Sequence, residues 1–365
     1  MNNQSITLMQ LYFILTLSTG LLAHVFIIPI LIGISGRDSW ISGILSTLVV
    51  CLILLLFYYV MKVSKKENIS AWIEKQFSPF FRYLFTIPMT ILLFLIAYIT
   101  VKDTIIWSTD SFLPRTPQIV LALLLLSVCF FTALVGIKSI AILSGILLPV
   151  VLLLGYLVGF VNMKEKEYRL LLPILEEGFQ PVLLGSLYMF GVFAELIMII
   201  LLQHQVKNRI SRKSIYIFTF FLLYLTVGPL IGGLTEFGLY ESKLMRYPSF
   251  AQWRLAYIGN YIAHLDFFAV YQWLSGAFIR TALMIYLIPE IHLMTGKKRV
   301  WAVSIIFILL IVFVTLPVSD ATILSMFEKY YLPLQFMTVF LMILYLFILS
   351  LIVSKRKGAK RNEAF

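Results

Sequence analysis

Ten long apolar segments constrain this chain more than any other feature. A membrane-spanning helix needs ~20 mostly apolar residues. Segments of about this length or longer lie at residues 6–33, 39–62, 82–107, 118–135, 139–161, 181–203, 215–237, 265–288, 300–317 and 332–354. Backbone polar groups inside lipid must be hydrogen-bonded within their own segment, so runs of this kind predict helices. The sequence therefore predicts an all-α integral membrane protein, a single transmembrane domain over residues 1–365 with ten transmembrane helices.

The composition excludes most other classes of protein. Hydrophobic residues make up 61% of the chain and charged residues 13%, against ~45–50% and ~25% in soluble domains. The two cysteines lie inside apolar runs, where they form neither a disulfide framework nor a metal cluster. The four histidines are scattered and the common hydrolase and nucleotide-binding motifs are absent. We therefore expect no enzyme, no cofactor and no bound metal.

The distribution of lysine and arginine predicts the orientation of the bundle. With the N-terminus in the cytoplasm, the inner segments carry 18 of the 29 basic residues and four acidic ones. The positive-inside rule then places both termini in the cytoplasm. The same excess accounts for the net charge of +12 without any nucleic-acid partner. Residues 355–365 form a basic cytoplasmic tail that we expect to lie against anionic lipid headgroups.

Two segments of the chain indicate an internal repeat. Residues 20–24 (GLLAH) in the first span and 191–195 (GVFAE) in the sixth both have the pattern Gly-x-x-Ala-polar. Amphipathic segments also follow the second and the seventh span. Five spans per half is an odd number, so the second half is inverted relative to the first. We expect a five-plus-five inverted repeat, with residues 6–161 and 181–354 as its halves, and a binding site at broken first and sixth helices.

The glycines of these two spans are the expected positions of the breaks. Glycine costs a helix interior ~1 kcal/mol relative to alanine, and an unwound turn exposes amide and carbonyl groups that can hold a ligand. The alternative is that glycine only allows neighbouring helices to pack closely. If the helices are broken, the backbone and side chains that line the breaks are Thr19, Gly20, Leu21, Gly191 and Val192.

Glu195, His24 and Arg280 are charged or titratable residues that lie well inside the spans. A carboxylate at the bilayer centre costs ~2.5 kcal/mol or more, so Glu195 marks a binding site, a proton relay or a structural hydrogen bond. His24, its counterpart in the repeat, is expected to bond a ligand or a neighbouring helix. Arg280 stays charged, and we expect it to brace span eight against span one and to make ligand binding independent of sodium. The alternative is that its side chain reaches the membrane interface.

The sequence resembles the spore germination permease family, the B subunits of nutrient germinant receptors. The features that carry the resemblance are the N-terminal SITLMQLYFILTLSTGLLAHVFIIPILIG, RDSWIS at the start of span two, YMFGVFAEL in span six and QWLSGAFIR in span eight. The resemblance extends over the whole chain and rests on hydrophobic pattern more than on invariant residues.

The resemblance implies a LeuT-like fold of the amino acid–polyamine–organocation superfamily. It also implies a subunit in the spore inner membrane, with its termini on the core side, that assembles with a membrane A subunit and a lipoprotein C subunit. Its ligand would be a small germinant: an amino acid, a nucleoside or a sugar. The family's pocket lies among spans one, three, six, eight and ten. Carried over to this sequence, that pocket includes Tyr98, Thr281 and Phe336. Ser275, another polar residue of span eight, is a further candidate.

Two other functions are compatible with the sequence. The chain could be a proton-coupled amino acid permease that works by alternating access, with Glu195 carrying the proton. It could also be a structural assembly subunit, in which case substitutions at Gly20 and Glu195 would leave nutrient specificity unchanged.

Overall fold

The structure, a computed structural model, describes residues 5–259 and 262–362, with side chains up to residue 356. Within those ranges the regular elements are all helical. The α-helices are α1 Leu8–Leu21, α2 Ile27–Ser35, α3 Ser39–Val63, α4 Ile69–Gln76, α5 Pro79–Ser111, α6 Gln118–Val135, α7 Ile137–Val161, α8 Gln180–Ala194, α9 Ile197–Leu202, α10 Arg212–Leu244, α11 Pro248–Leu255, α12 Phe267–Ile291, α13 Gly296–Thr315, α14 Asp320–Met326 and α15 Leu332–Asn362. Two five-residue π-helical segments, Leu22–Phe26 and Phe327–Tyr331, join α1 to α2 and α14 to α15.

The described residues contain nine helical runs that are long and apolar enough to cross a membrane. The all-α membrane class is therefore confirmed. The first of the nine, Leu8–Val63, has 56 residues and includes the predicted spans one and two. Gly36 interrupts this run with φ 54° and ψ −133°, a conformation that glycine adopts without a steric penalty. Counted as one crossing, this run gives nine crossings in the described residues; counted as two crossings separated at Gly36, it gives the predicted ten.

Contacts between distant loops define the two ends of the bundle. At one end the backbone N–H of Ile6 donates to the carbonyl of Gln205, and the Lys66 ammonium donates to the carbonyl of Val206. At the other end Arg37 forms an ion pair with Glu176. We call these the basic end and the opposite end. Since residues 6 and 37 lie at different ends, the helices from Leu8 to Ser35 cover the full height of the bundle.

Two spans form the centre of the bundle. In the most apolar stretch of the run Phe267–Ile291, which is α12, 83% of the residues are buried, and in that of Gln180–Gln205 the share is 78%. In the runs that contain α6, α7 and α13 the share is 28% or less. Large apolar side chains on those outer helices are exposed, as lipid-facing residues are. The polar side chains of α12 and of the run Gln180–Gln205 are therefore the ones to examine for function.

The first and sixth spans are interrupted, but not at the expected glycines. Helix α1 continues through Gly20 to Leu21 and then widens into the π-helical segment. Helix α8 continues through Gly185 and Gly191, and ends where Glu195 and Leu196 make tight turns with N–H bonds to Val192 and Phe193. The expectation of an unwound turn at Gly20 is wrong in this respect, and the interruptions lie a few residues further along each span.

Close packing explains the two glycines of α8. A Cβ atom added at Gly185 would lie 2.0 Å from Ser35 Oγ, and one at Gly191 would lie 3.0 Å from a methyl group of Leu332. These glycines therefore let α2, α3 and α15 approach α8, which is the alternative role considered above.

The amphipathic segments also form helices. Asn68 caps α4, and its side-chain oxygen accepts from the backbone N–H groups of Ser70 and Ala71. The second amphipathic segment, predicted from the spacing of Phe250, Trp253, Tyr257 and Tyr261, is helical only over α11, which ends at Leu255. Tyr257 lies beyond the helix, and Tyr261 lies outside the described residues. Within the basic tail the helix α15 is described to Asn362, and residues 363–365 lie outside the described residues.

Candidate functional site

A buried ion pair between Arg280 and Glu195 lies at the centre of the bundle. Each side chain is 1% exposed, and both terminal nitrogens of the guanidinium face the two carboxylate oxygens. Arg280 comes from the middle of α12 and Glu195 from the turn after α8. A bidentate arrangement of this kind uses the planar donors of arginine and fixes the relative position of the two helices.

Further hydrogen bonds connect the ion pair to three more spans. Arg280 Nη1 donates to the Ser18 carbonyl at 2.8 Å, and Arg280 Nε donates to Thr100 Oγ1 at 2.9 Å. Gln335 Nε2 donates to the Gly191 carbonyl at 2.8 Å and to Glu195 at 3.2 Å. Because Ser18, Thr100 and Gln335 lie in spans one, three and ten, five segments of the chain meet at this point.

The spans that meet at the ion pair also carry buried polar atoms with no hydrogen-bond partner among the described residues. They include Gln335 Oε1, Ser18 Oγ and Thr281 Oγ1, and all three residues are fully buried. An unpaired buried hydroxyl or amide oxygen costs ~1–3 kcal/mol. A small polar ligand beside the ion pair would supply partners for such atoms.

The other candidates from the sequence lie in two different surroundings. Gly20, Leu21 and His24 line a cavity between spans one, five, seven and eight, and His24 Nδ1 donates to the Leu225 carbonyl at 3.2 Å. Thr19, Val192 and Ser275 are buried in the bundle. The cavity therefore brings together only three of the candidates, Gly20, Leu21 and His24.

Two aromatic candidates pack against other aromatic rings. Tyr98 packs edge-on against Phe313 of α13, with ring centroids 6.3 Å apart. Phe336 stacks on Phe190 at 5.4 Å, beside a cavity of about 30 Å³ between α3, α8 and α15. In this conformation both rings pack against neighbouring apolar side chains.

Aromatic side chains close the opposite end of the site. Trp107 and Trp273 stack in parallel, with ring centroids 4.1 Å apart. Phe26 packs against Trp273 and against Phe327, so the two π-helical segments meet at this layer. Tyr247 packs edge-on against Trp273 at 4.9 Å. The layer separates the ion pair from the loops at that end.

A charged cluster covers the aromatic layer. Arg246, in the loop before α11, pairs with Asp103 of α5 at 2.6 Å and with Asp320 of α14 at 3.3 Å. Burial by itself would lower the pKa of Arg246, but the nearby Asp103 carboxylate raises it above its usual value. Lys102 is also buried, but its ammonium donates to the carbonyls of Val314 and Leu316 rather than to Asp103.

Arg246→Met is expected to open the opposite end. The substitution leaves the buried Asp103 carboxylate with the Tyr247 hydroxyl as its remaining described partner, and an uncompensated buried charge draws in water. The fraction of tryptophan fluorescence quenched by aqueous iodide should rise. Arg254→Met, on the exposed side of α11, is the control and should leave quenching unchanged. Equal quenching in both variants would show that Arg246 does not hold this end closed.

A second polar cluster closes the basic end. Glu290 accepts hydrogen bonds from His204, Gln205 and Arg299 at 2.9–3.1 Å. Gln205 also donates to the Tyr286 hydroxyl at 2.7 Å. Ile6, near the N-terminus, forms backbone hydrogen bonds with Gln205 and Lys207 of the loop after α9. The ion pair is thus enclosed on both sides in this conformation.

His292, just after α12, should make stability depend on pH. Burial and then the nearby Arg82 charge lower the pKa of His292 below 6.5, and its Nε2 lies 2.7 Å from Thr90 Oγ1. Below pH 6.5 the imidazole of His292 binds a proton in the unfolded chain but not in the folded chain. The stability that the neutral imidazole contributes is therefore present at neutral pH and falls with acidification. The thermal midpoint of the purified chain should decrease from pH 7 to pH 5.5, and the decrease should be smaller in His292→Gln. Identical slopes would contradict this assignment.

Comparison with known proteins identifies the family. A model of the spore permease family, described as spore germination protein, matches residues 5–322. The chain is 38% identical over 351 residues to spore germination protein XB of Bacillus anthracis, covering 96% of this chain and 99% of that protein. The chain belongs to the spore germination permease family. This family is receptor- or transporter-like rather than enzymatic, and its member described here is a multi-pass membrane protein.

Both charges of the site are predictable from the sequence, but part of their surroundings is not. Glu195 and Arg280 stand out as charged residues in apolar spans. Gln335 and Thr100 were not recognised, although a glutamine in the apolar run of span ten carries the same signal. The expected brace from Arg280 to span one corresponds to its bond with the Ser18 carbonyl.

Proposed function

We propose that this protein is the membrane subunit of a spore nutrient germinant receptor. It binds a small germinant, an amino acid, nucleoside or sugar, at the middle of the membrane, and binding triggers germination. The observation that carries the proposal is the buried Arg280–Glu195 pair, where five spans meet within a member of the germination family.

The proposed architecture is a five-plus-five inverted repeat of ten transmembrane helices with a LeuT-like fold. At 1.5 Å per residue, the 56-residue run Leu8–Val63 is ~84 Å long, whereas the hydrocarbon core is ~30 Å thick. Two crossings separated at Gly36 fit this length. In this arrangement both termini lie on the core side of the spore inner membrane, at the basic end.

The ion pair provides a two-state element for sensing. A ligand shifts a conformational equilibrium only by its difference in affinity for the two states. A germinant that bonds to Arg280, Glu195 or the unpaired Gln335 oxygen competes with the contacts that hold spans one, six and eight together. Binding would then favour a second arrangement of the interrupted helices.

Arg280 supplies a fixed positive charge between spans eight and one. We therefore propose that germinant binding does not require sodium. Binding of the radiolabelled germinant to the purified chain should be the same in sodium chloride and in choline chloride. A requirement for sodium would contradict this role of Arg280.

The proposed partners are a membrane A subunit and a lipoprotein C subunit, which follow from the family resemblance. The signal would pass from the rearranged helices to the A subunit. Membership of the germination family supports a receptor with several subunits.

A proton-coupled amino acid permease is the alternative. The separate closures at Arg246 and at Glu290 favour it, because alternating access needs a closure on each side of the site. Proteoliposomes containing the chain distinguish the two functions. Substrate-stimulated counterflow would support the permease, whereas binding without counterflow would support the receptor.

Spores with and without this gene test the receptor directly. Germination is followed as loss of optical density over a panel of amino acids, nucleosides and sugars. Loss of the response to one nutrient class is the expected result. An unchanged panel, together with reduced uptake in growing cells, would contradict the receptor.

A further inference from the structure

A large apolar cavity lies beside the first span, apart from the ion pair. Its volume is about 410 Å³, and its walls come from α1 and the following π-helical segment, α7, α10 and α12. Helix α11 covers it toward the opposite end of the bundle, where Gln252 and Trp253 are 5% and 2% exposed. The size is within the range of sites that hold small molecules, ~300–1,000 Å³.

The cavity opens sideways between α7 and α10. Tyr156 and Phe160 of α7 and Tyr224 of α10 line it and are 55%, 76% and 53% exposed. The rings of Tyr156 and Tyr224 face each other at the opening, with centroids 6.5 Å apart. All three residues belong to membrane-spanning runs, so the opening faces bilayer lipid.

The polar side chains in the wall already form hydrogen bonds within the protein. Gln272 donates to the Val151 carbonyl and accepts from Trp253 Nε1, at 2.8 and 2.9 Å. Gln252 donates to the Pro229 carbonyl, and Ser249 donates to the carbonyl of His24. A buried water needs two to four polar partners. These groups offer little to water, and a sugar or a nucleoside would find few partners for its hydroxyls.

Open space remains at three glycines that line the cavity. A Cβ added at Gly20, Gly159 or Gly228 would meet nothing within 4 Å. Apolar atoms that face an empty space lose their dispersion contacts, so an empty cavity of this size is costly. Hydrocarbon is the material that both fits an apolar wall and is present at the opening.

We propose that this cavity binds one hydrocarbon chain of a bilayer phospholipid. The chain enters between Tyr156 and Tyr224 and lies against Gly20 of α1 and Gly276 of α12. Gly276 packs against the carbonyl of Leu17, one residue before the carbonyl that holds Arg280. The lipid therefore supports the contact between spans one and eight. This inference does not depend on which ligand, if any, binds at the ion pair.

Photocrosslinking in nanodiscs tests the proposal. The full chain is reconstituted with a phosphatidylglycerol that carries a diazirine near the end of one acyl chain, and the labelled peptides are mapped by mass spectrometry. We expect labelling of the peptides that contain Gln272 and Trp253, in addition to lipid-facing residues such as Leu153.

Two variants fill the cavity from different helices. Gly159→Leu and Gly228→Leu should each reduce labelling of the Gln272 and Trp253 peptides to background, while labelling at Leu153 persists as the internal reference. Gly33→Leu, an exposed glycine with open space outside the cavity, is the matched control and should change nothing. Absence of cavity labels in the unaltered chain would overturn the proposal. The proposal would also be overturned if Gly159→Leu and Gly228→Leu both remained monodisperse and left labelling of the Gln272 and Trp253 peptides unchanged.

Discussion

Glu195→Leu is expected to lower the free energy of unfolding by about 3–5 kcal/mol, because it leaves the Arg280 guanidinium buried without its counter-charge. Arg280 is 1% exposed and is held inside the bundle by the Ser18 carbonyl and Thr100. These neutral acceptors do not compensate a full charge at this depth. Reversible unfolding of the purified chain in mixed micelles measures the change.

The double variant separates the charge effect from the loss of packing. Glu195→Leu with Arg280→Leu removes both charges, and such replacements of buried pairs are often close to neutral. The double variant should therefore regain most of the lost stability. Glu176→Leu, which breaks the surface pair with Arg37, is the control and should cost ~0–1 kcal/mol. If the double variant were less stable than Glu195→Leu alone, the pair would not be the origin of the effect.

Gly185→Ala is expected to destabilise the chain by ~1–3 kcal/mol, the usual cost of overpacking a well-packed core. The added methyl group would lie 2.0 Å from Ser35 Oγ and 2.7 Å from Ser42 Oγ. Both hydroxyls are fixed, since they donate to the carbonyls of Pro181 and Val182. Helix α8 must therefore move away from α2 and α3.

Gly20→Ala is the matched control for this substitution. Gly20 also lies in a membrane-spanning helix, but a Cβ there meets nothing within 4 Å. The change should be neutral or stabilising by up to ~1 kcal/mol through helix propensity. Unfolding measured under the same conditions compares the two. Equal effects at Gly185 and Gly20 would contradict the packing role of Gly185.

The positions of the spans could be predicted closely from the sequence. The expected spans 118–135 and 139–161 correspond to Gln118–Val135 and Ile137–Val161. Apolar runs of this length leave the backbone no alternative to a helix in lipid. Helix α5 extends further than expected, because interfacial turns remain helical beyond the apolar run. Helix α10 also extends further, to Leu244, but only across a kink at Gly238, where φ is 73° and the backbone is not helical.

The partners of the buried charges could not be predicted in the same way. Glu195 and Arg280 are 85 residues apart in the chain, and their meeting depends on how α8 and α12 are rotated. A hydrophobic run without clear amphipathicity does not specify that rotation. The role of the two glycines of α8 could not be predicted either, because a glycine in a span is compatible both with a helix break and with close packing of neighbouring helices.

Spores that carry Glu195→Gln in place of the original residue test the role of the ion pair most directly. The amide keeps the size of the side chain but removes the charge that pairs with Arg280. Germination is measured as a function of nutrient concentration, with chain abundance in the spore membrane verified. Glu165→Gln, at the partly exposed turn after α7, is the control. We predict a shifted or abolished response for Glu195→Gln and a normal response for the control. A normal dose–response in Glu195→Gln spores would contradict the central role of the ion pair.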